Sequence, residues 1–356
     1  MPAIIGVACS VPRHAMTQKK IQNFACRMFD GSGLAVDRLL PVFENTTIRK
    51  RHLCMEADWF DTAHGFGLKN RAFQDWGLAL AREAVRKVCE RTDTPTGRID
   101  HIFFVTSTGI AAPSLDAHLF NALEFKPALL RTPIWGMGCG GGVAAMARAN
   151  DWLKSYPKKT ALVVALELCS LTFIRNDLSK SNFVATALFG DGCGALLMVG
   201  DEHPQAAAGG PALRIEATDA VTWQDSLEVM GWEVTDAGLR VVFSKNIPRI
   251  VDRLARPAIA GFIARHGLSN KDIRHFLSHP GGAKVIEAYR RALELDEAQI
   301  RSMREVLSAY GNMSSATVFF VMEHFFASGS YRSGDWALAT ALGPGFFSEM
   351  LLARCR

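Results

Sequence analysis

The sequence predicts an α/β protein with buried sheets, assembled from two similar halves, and three observations carry that expectation. Short continuous apolar runs alternate with helical patterns along most of the chain. The composition, 49% hydrophobic and 21% charged over 356 residues, describes a soluble chain with enough apolar material for one large core or two coupled ones. A faint internal repeat links the two sides of the connector Ala206-Ala207-Ala208-Gly209-Gly210-Pro211.

In chain order, Ile4 to Val7 is the first strand candidate. Trp76 to Cys89 then carries apolar residues at helical spacing. Ile102 to Thr106, Leu162 to Leu166 and Ala195 to Val199 are apolar runs of strand length without polar alternation, the pattern of strands covered on both faces. Beyond the connector, Phe276 to Leu277, Trp336 to Thr340 and Met350 to Ala353 read as strands, and Val285 to Leu293 and Thr317 to Phe326 as helices. The junction is expected at the connector, giving an N-terminal half of residues 1–205 and a C-terminal half of residues 206–356. In the first half, His101-Ile102-Phe103-Phe104-Val105 leads through Thr108-Gly109 to Cys139 at a helix start. In the second, His275-Phe276-Leu277-Ser278-His279 leads through Pro280-Gly281-Gly282 to Asn312 at another. Pseudo-twofold symmetry would turn these polar groups into one cleft.

Several function classes are excluded or disfavoured. No apolar run approaches the ~20 residues of a membrane span, and Met1 to Ser10 lacks the basic start of a signal peptide, so a cytoplasmic protein with no integral membrane association is expected. Eight cysteines without a C-x-x-C pair argue for reduced thiols rather than a disulfide framework or zinc site. His275 and His279 stand four apart but have no third ligand nearby, so no metal is expected. The net charge of +5 is too mild to imply nucleic acid, yet suits an anionic small molecule. The densest basic cluster, Arg49-Lys50-Arg51-His52, is either a phosphate-binding segment or a solvated turn.

The most informative segment is Trp135-Gly136-Met137-Gly138-Cys139-Gly140-Gly141-Gly142, which sets a cysteine in a glycine-rich turn ahead of a helix. A helix start favours negative charge, so a thiol there is expected to hold more thiolate at neutral pH. The bland alternative is a small buried Cys in a tight turn. Gly136, Gly138 and Gly141 also fit the dinucleotide fingerprint, with Glu167 near the place of a ribose-binding acid. A P-loop is excluded, since no Gly-Lys-Ser/Thr follows. Asp191, flanked by glycines, reads as a structural acceptor of backbone N–H groups.

Five motifs in order, Gly138-Cys139-Gly140-Gly141, Phe189-Gly190-Asp191-Gly192, Ser278-His279-Pro280-Gly281-Gly282, Tyr310-Gly311-Asn312-Met313-Ser314-Ser315 and Leu342-Gly343-Pro344-Gly345-Phe346, resemble those of the type III polyketide synthases, the chalcone synthase-like enzymes. The resemblance covers nearly the whole chain. It implies a thiolase fold in five layers, αβαβα, a homodimer, malonyl-CoA and acyl-CoA as substrates, no cofactor, and a catalytic set of Cys139, His279 and Asn312. The chemistry agrees: thioester condensation needs a thiolate, a cationic or basic partner for it, and donors for an enolate oxygen. Cys139 supplies the thiol, His279 as an imidazolium its partner, and His279 with the Asn312 amide the donors.

Departures from the plant pattern bear on substrate. Phe189 matches one of the two gatekeeping phenylalanines, while Val241 stands at the other and leaves more room. Trp232 stands where plant members carry a cavity-shaping glycine, and Thr172 and Ser314 are further expected cavity positions. Arg49 and Lys50 resemble the basic CoA-binding segment. The chain resembles bacterial members that extend fatty acyl starters to alkylpyrones or alkylresorcinols. Two other readings stay open: a ketoacyl-ACP synthase III-like condensing enzyme and a dinucleotide-dependent oxidoreductase.

Overall fold

The computed structural model describes residues 1–207, 210–244 and 247–356; Ala208 and Gly209 of the expected connector lie outside them. Nine strands form one mixed sheet: β1 (Ala3–Ser10), β2 (His101–Thr106), β3 (Leu130–Trp135), β4 (Thr160–Leu168), β5 (Asp191–Val199), β6 (Leu213–Thr222), β7 (Ile273–Phe276), β8 (Trp336–Gly343) and β9 (Phe347–Cys355), in the order β7-β8-β9-β6-β1-β5-β4-β2-β3. This is two half-sheets meeting at one seam. β1 and β6 share only the pairs Ala3↔Arg214 and Ile4↔Leu213.

The expected repeat is visible in the strand order. Each half begins with a strand next to its own last strand, and that last strand runs antiparallel to both neighbours: β5 between β1 and β4, β9 between β6 and β8. Parallel pairs complete the series, β2 with β4 and β3, and β7 with β8. The first half has β3 before its next helix; the second has no named strand at the equivalent place.

Helices α1 (Phe66–Arg91), α2 (Gly141–Ser155), α3 (Arg256–Arg265) and α4 (Thr317–Ser328) build the layers. α1 covers one face of β1, β4 and β5. α2 lies between β2 and β4 on one side and β8 and β9 on the other, with α4 beside it against β1 and β5. α3 packs on β9. The result is the five-layer αβαβα thiolase arrangement. β4 and β5 are buried at every position, which explains their unbroken apolar runs. The largest core draws on both halves, from Val143 and Met146 of α2 to Phe319 of α4 and Leu351 of β9.

Several elements differ from expectation. α1 begins well before Trp76, and β3, β6 and two small strand pairs, His14–Thr17 with Lys50–Leu53 and Met230–Thr235 with Gly238–Phe243, carry no apolar run long enough to be seen. Ala206 and Ala207, expected as the start of the flexible connector, end the helical turn Pro204–Ala207.

Candidate active site

Three segments carry the expected site residues: the turn before α2, the run that continues β7 and the turn before α4. Gly138 adopts φ +46°, and a Cβ there would stand 2.8 Å from Pro344 Cδ, so only glycine fits. Its N–H donates to Ser107 Oγ at 2.9 Å, which anchors the turn. Cys139 follows on a single 3₁₀ turn and remains partly exposed. The second segment continues β7: Leu277 and His279 donate their N–H groups to Leu338 and Thr340 beside β8, at 2.8 and 2.9 Å. The third lies ahead of α4, where the Asn312 N–H donates to the Leu188 carbonyl and the Asn312 carbonyl accepts from the Gly190 N–H.

Asn312 joins the other two. Its Nδ2 donates to the Gly281 carbonyl at 3.1 Å, two residues from His279, and its Oδ1 accepts from the Ser314 N–H at 2.8 Å. Its amide and the Ser314 hydroxyl both act to lower the Cys139 thiol, against the effect of burial. Asn312 thus caps the turn before α4 and still presents a donor to the thiol. The His279 ring is buried, and neither ring nitrogen has a hydrogen-bond partner among the described residues.

The expected thiolate and imidazolium are not the resting state of either group taken alone. Burial pushes the Cys139 thiol up to about 11, with Glu167 adding to the shift, and burial pulls His279 down to about 3. Desolvation penalises either isolated charge more than the helix start and the Asn312 and Ser314 donors offset it. Moving the thiol proton onto the imidazole creates both charges together, and their attraction then offsets part of the cost. We expect alkylation of Cys139 in His279→Ala to rise tenfold per pH unit between pH 7 and 9, as for a lone thiol titrating near 11. The unaltered protein should show a plateau at neutral pH. Equal slopes in both would show that His279 does not share the proton.

Glu167 is fully buried near Cys139. It accepts from the Ser107 N–H at 2.9 Å and from the Thr108 and Ser315 hydroxyls at 2.8 and 2.5 Å, and burial raises it to about 7. A carboxyl so enclosed cannot receive a ribose. With Gly138 packed on Pro344, the dinucleotide reading fails. Asp191 is structural as expected, accepting from the Cys54 and Ser170 N–H groups at 2.8 and 2.7 Å.

Cys139 opens on a cavity of about 300 Å³ lined also by Trp232, Ser314, Phe189 and Val241. Phe189 and Val241 line a second cavity as well, again about 300 Å³, whose walls include Thr172, Ile21, Phe24, Phe60 and Phe173. The two residues therefore form a partition. On the Cys139 side, Val241 does not leave the expected room. Trp232 is its cross-strand partner, and the Trp232 and Phe243 rings lie 5.8 and 5.6 Å from Phe189, refilling the space.

The basic cluster divides. Arg49 and Lys50 are exposed and line neither cavity, and Arg49 Nε donates to Ser308 Oγ at 2.9 Å. Arg51 is buried. It donates to the Thr186, Ala187 and Phe189 carbonyls at 2.8, 3.1 and 2.9 Å and to Gln18 Oε1. It thereby satisfies the end of the helix Lys180–Leu188 and fixes Phe189. Strand alternation from Lys50 to Leu53 was the available signal, since it puts Arg51 on the side of Leu53.

The family models for chalcone and stilbene synthases match twice, the N-terminal domain over residues 2–202 and the C-terminal domain over residues 217–355. The chain is 39% identical to a Bacillus subtilis (strain 168) protein provisionally described as a chalcone synthase, covering 99% of this chain and 98% of that one. It is 34% identical to 1,3,6,8-tetrahydroxynaphthalene synthase of Streptomyces peucetius subsp. caesius, covering 99% and 93%. Among solved structures, 1,3,6,8-tetrahydroxynaphthalene synthase of Streptomyces coelicolor A3(2) superposes with a TM-score of 0.93 at 28% identity, covering 99% of each chain.

Proposed function

This chain belongs to the chalcone and stilbene synthase family of type III polyketide synthases, acyl-transferring enzymes, and from that membership we propose that it extends a long-chain acyl-CoA starter with malonyl-CoA and cyclises the product to an alkylpyrone or alkylresorcinol. The observation that favours a long starter is the second cavity behind Phe189 and Val241, whose apolar wall suits an alkyl tail while the thioester end stays at Cys139.

In this reading the Cys139 thiol passes its proton to His279 and the sulfur attacks the starter thioester, releasing CoA and leaving the acyl group on Sγ. Malonyl-CoA follows, with its thioester oxygen accepting from the Asn312 amide and the His279 ring N–H. Loss of carbon dioxide leaves an enolate that these donors hold. The enolate carbon attacks the acyl carbonyl, Sγ leaves as thiolate, and the chain is two carbons longer. No cofactor takes part. Arg49 and Lys50, exposed and outside both cavities, are kept in this reading as contacts for CoA phosphates.

The exposed edge of β3, with Leu130 and Trp135 about half exposed, is the surface we assign to a second copy of the chain in a homodimer.

Val241→Phe tests the starter reading. Overpacking of a closed wall commonly costs about 1–3 kcal/mol, so turnover of long starters should fall roughly tenfold to a hundredfold while short starters are kept. Mass spectrometry of products across starters of graded length is the measurement. A uniform loss across all lengths, or preference of the unaltered enzyme for short starters, refutes the long-chain reading.

A further inference from the structure

The two sides of the partition come from different parts of the chain. Phe189 is fixed by Arg51 and by the Asn312 segment. Val241 and Trp232 stand on a hairpin, Met230–Thr235 paired with Gly238–Phe243, which shares no strand pairing with the nine-stranded sheet. The hairpin packs its apolar face on Cys169, Ala185 and Phe189.

Its turn is gripped from the start of α1. The Phe66 N–H donates to the Asp236 carbonyl at 3.4 Å. Lys69 Nζ donates to the Ala237 carbonyl at 2.9 Å and to the Phe173 carbonyl at 2.6 Å. Phe173 is itself a wall of the second cavity. Lys69 is only 4% exposed, and burial pulls it down to about 8 with no carboxylate opposing the shift. A cation held at that cost and directed to two main-chain carbonyls of separate segments serves to keep those segments together.

We propose that Lys69 is a positioning residue that clips the Val241 hairpin to the Cys169–Phe173 turn and so sets the passage between the two cavities, fixing which acyl chains cross it. The consequence for selectivity rests on the starter reading above; the clip does not.

Lys69→Met keeps a chain of similar length and removes the donors. Amide hydrogen exchange across residues 230–243 should then quicken about tenfold, as expected for losing a charged hydrogen bond, with β4 and β5 unchanged. The ratio of kcat/KM between long and short starters should move about tenfold toward unity through KM, with kcat retained, and Lys69→Arg should restore both. Unchanged hairpin exchange overturns the proposal. So does faster exchange with an unchanged starter ratio, provided the unaltered enzyme turns over long starters. If Lys69→Met does not fold, Lys69→Gln, which keeps one donor group, carries the same measurements. Failure of the starter reading is seen separately, as absent long-chain turnover in the unaltered enzyme, and the exchange comparison then decides the clip alone.

Discussion

Cys139→Ala should abolish chain extension, by about 10⁴-fold or more, while malonyl-CoA decarboxylation persists. The loss is large because no other thiol stands ready. Cys169 lines the second cavity, but burial together with Glu167 pushes it well above the ordinary thiol range. Decarboxylation survives because the Asn312 amide and the His279 ring do not depend on the sulfur: one is anchored by Gly281 and Ser314, the other by the strand-like run beside β8. Intact-protein mass spectrometry with an acyl-CoA starter checks the point. An acyl adduct on another cysteine, or extension at a normal rate, would remove Cys139 from the nucleophile's role.

Asn312→Ala should slow malonyl-CoA decarboxylation by about 10²- to 10³-fold, the usual cost of one oxyanion donor in a closed site. The alanine also leaves the Ser314 N–H without its acceptor, so Asn312→Asp is the sharper variant: it keeps an oxygen for that N–H and removes the donor. The two variants should be similarly slow in decarboxylation. If Asn312→Asp were as fast as the unaltered enzyme, the amide would matter only for the shape of the turn. Starter loading, read as the burst of released CoA, should be less affected than extension in both.

How much of this was legible in the sequence varied with how local the signal was. β4 and β5 stood out because both their faces are covered, so apolar residues follow one another without interruption. β3 did not, because it is an edge strand carrying Arg131 and Pro133 with one side open. β6 alternates Arg214, Glu216 and Thr218 with apolar neighbours and lacks the continuous run that marked the others. Cys139, His279 and Asn312 are proposed from short motifs, each local in sequence. Their ionisation was not legible there, since burial is a property of the assembled halves. The second cavity was legible only in part: Thr172, Phe189 and Val241 were expected cavity positions, but Ile21, Phe60 and Phe173 join them only after folding. Lys69 was hidden because a buried cation facing main-chain carbonyls leaves no partner residue to pair with in the sequence.

The thin seam between β1 and β6, together with a core that both halves share, bears on how the chain is made in the cell. During synthesis the first half emerges earlier, and its β1–β5 sheet can form with α1 on one face. The flank of α2 that will meet β8 and β9 has no cover until the last residues are translated. At roughly 5–20 residues per second, the remaining length keeps that apolar flank open for several seconds or longer. Ribosome-stalled chains ending near residue 200 should therefore be markedly more protease-sensitive around α2 than the released protein.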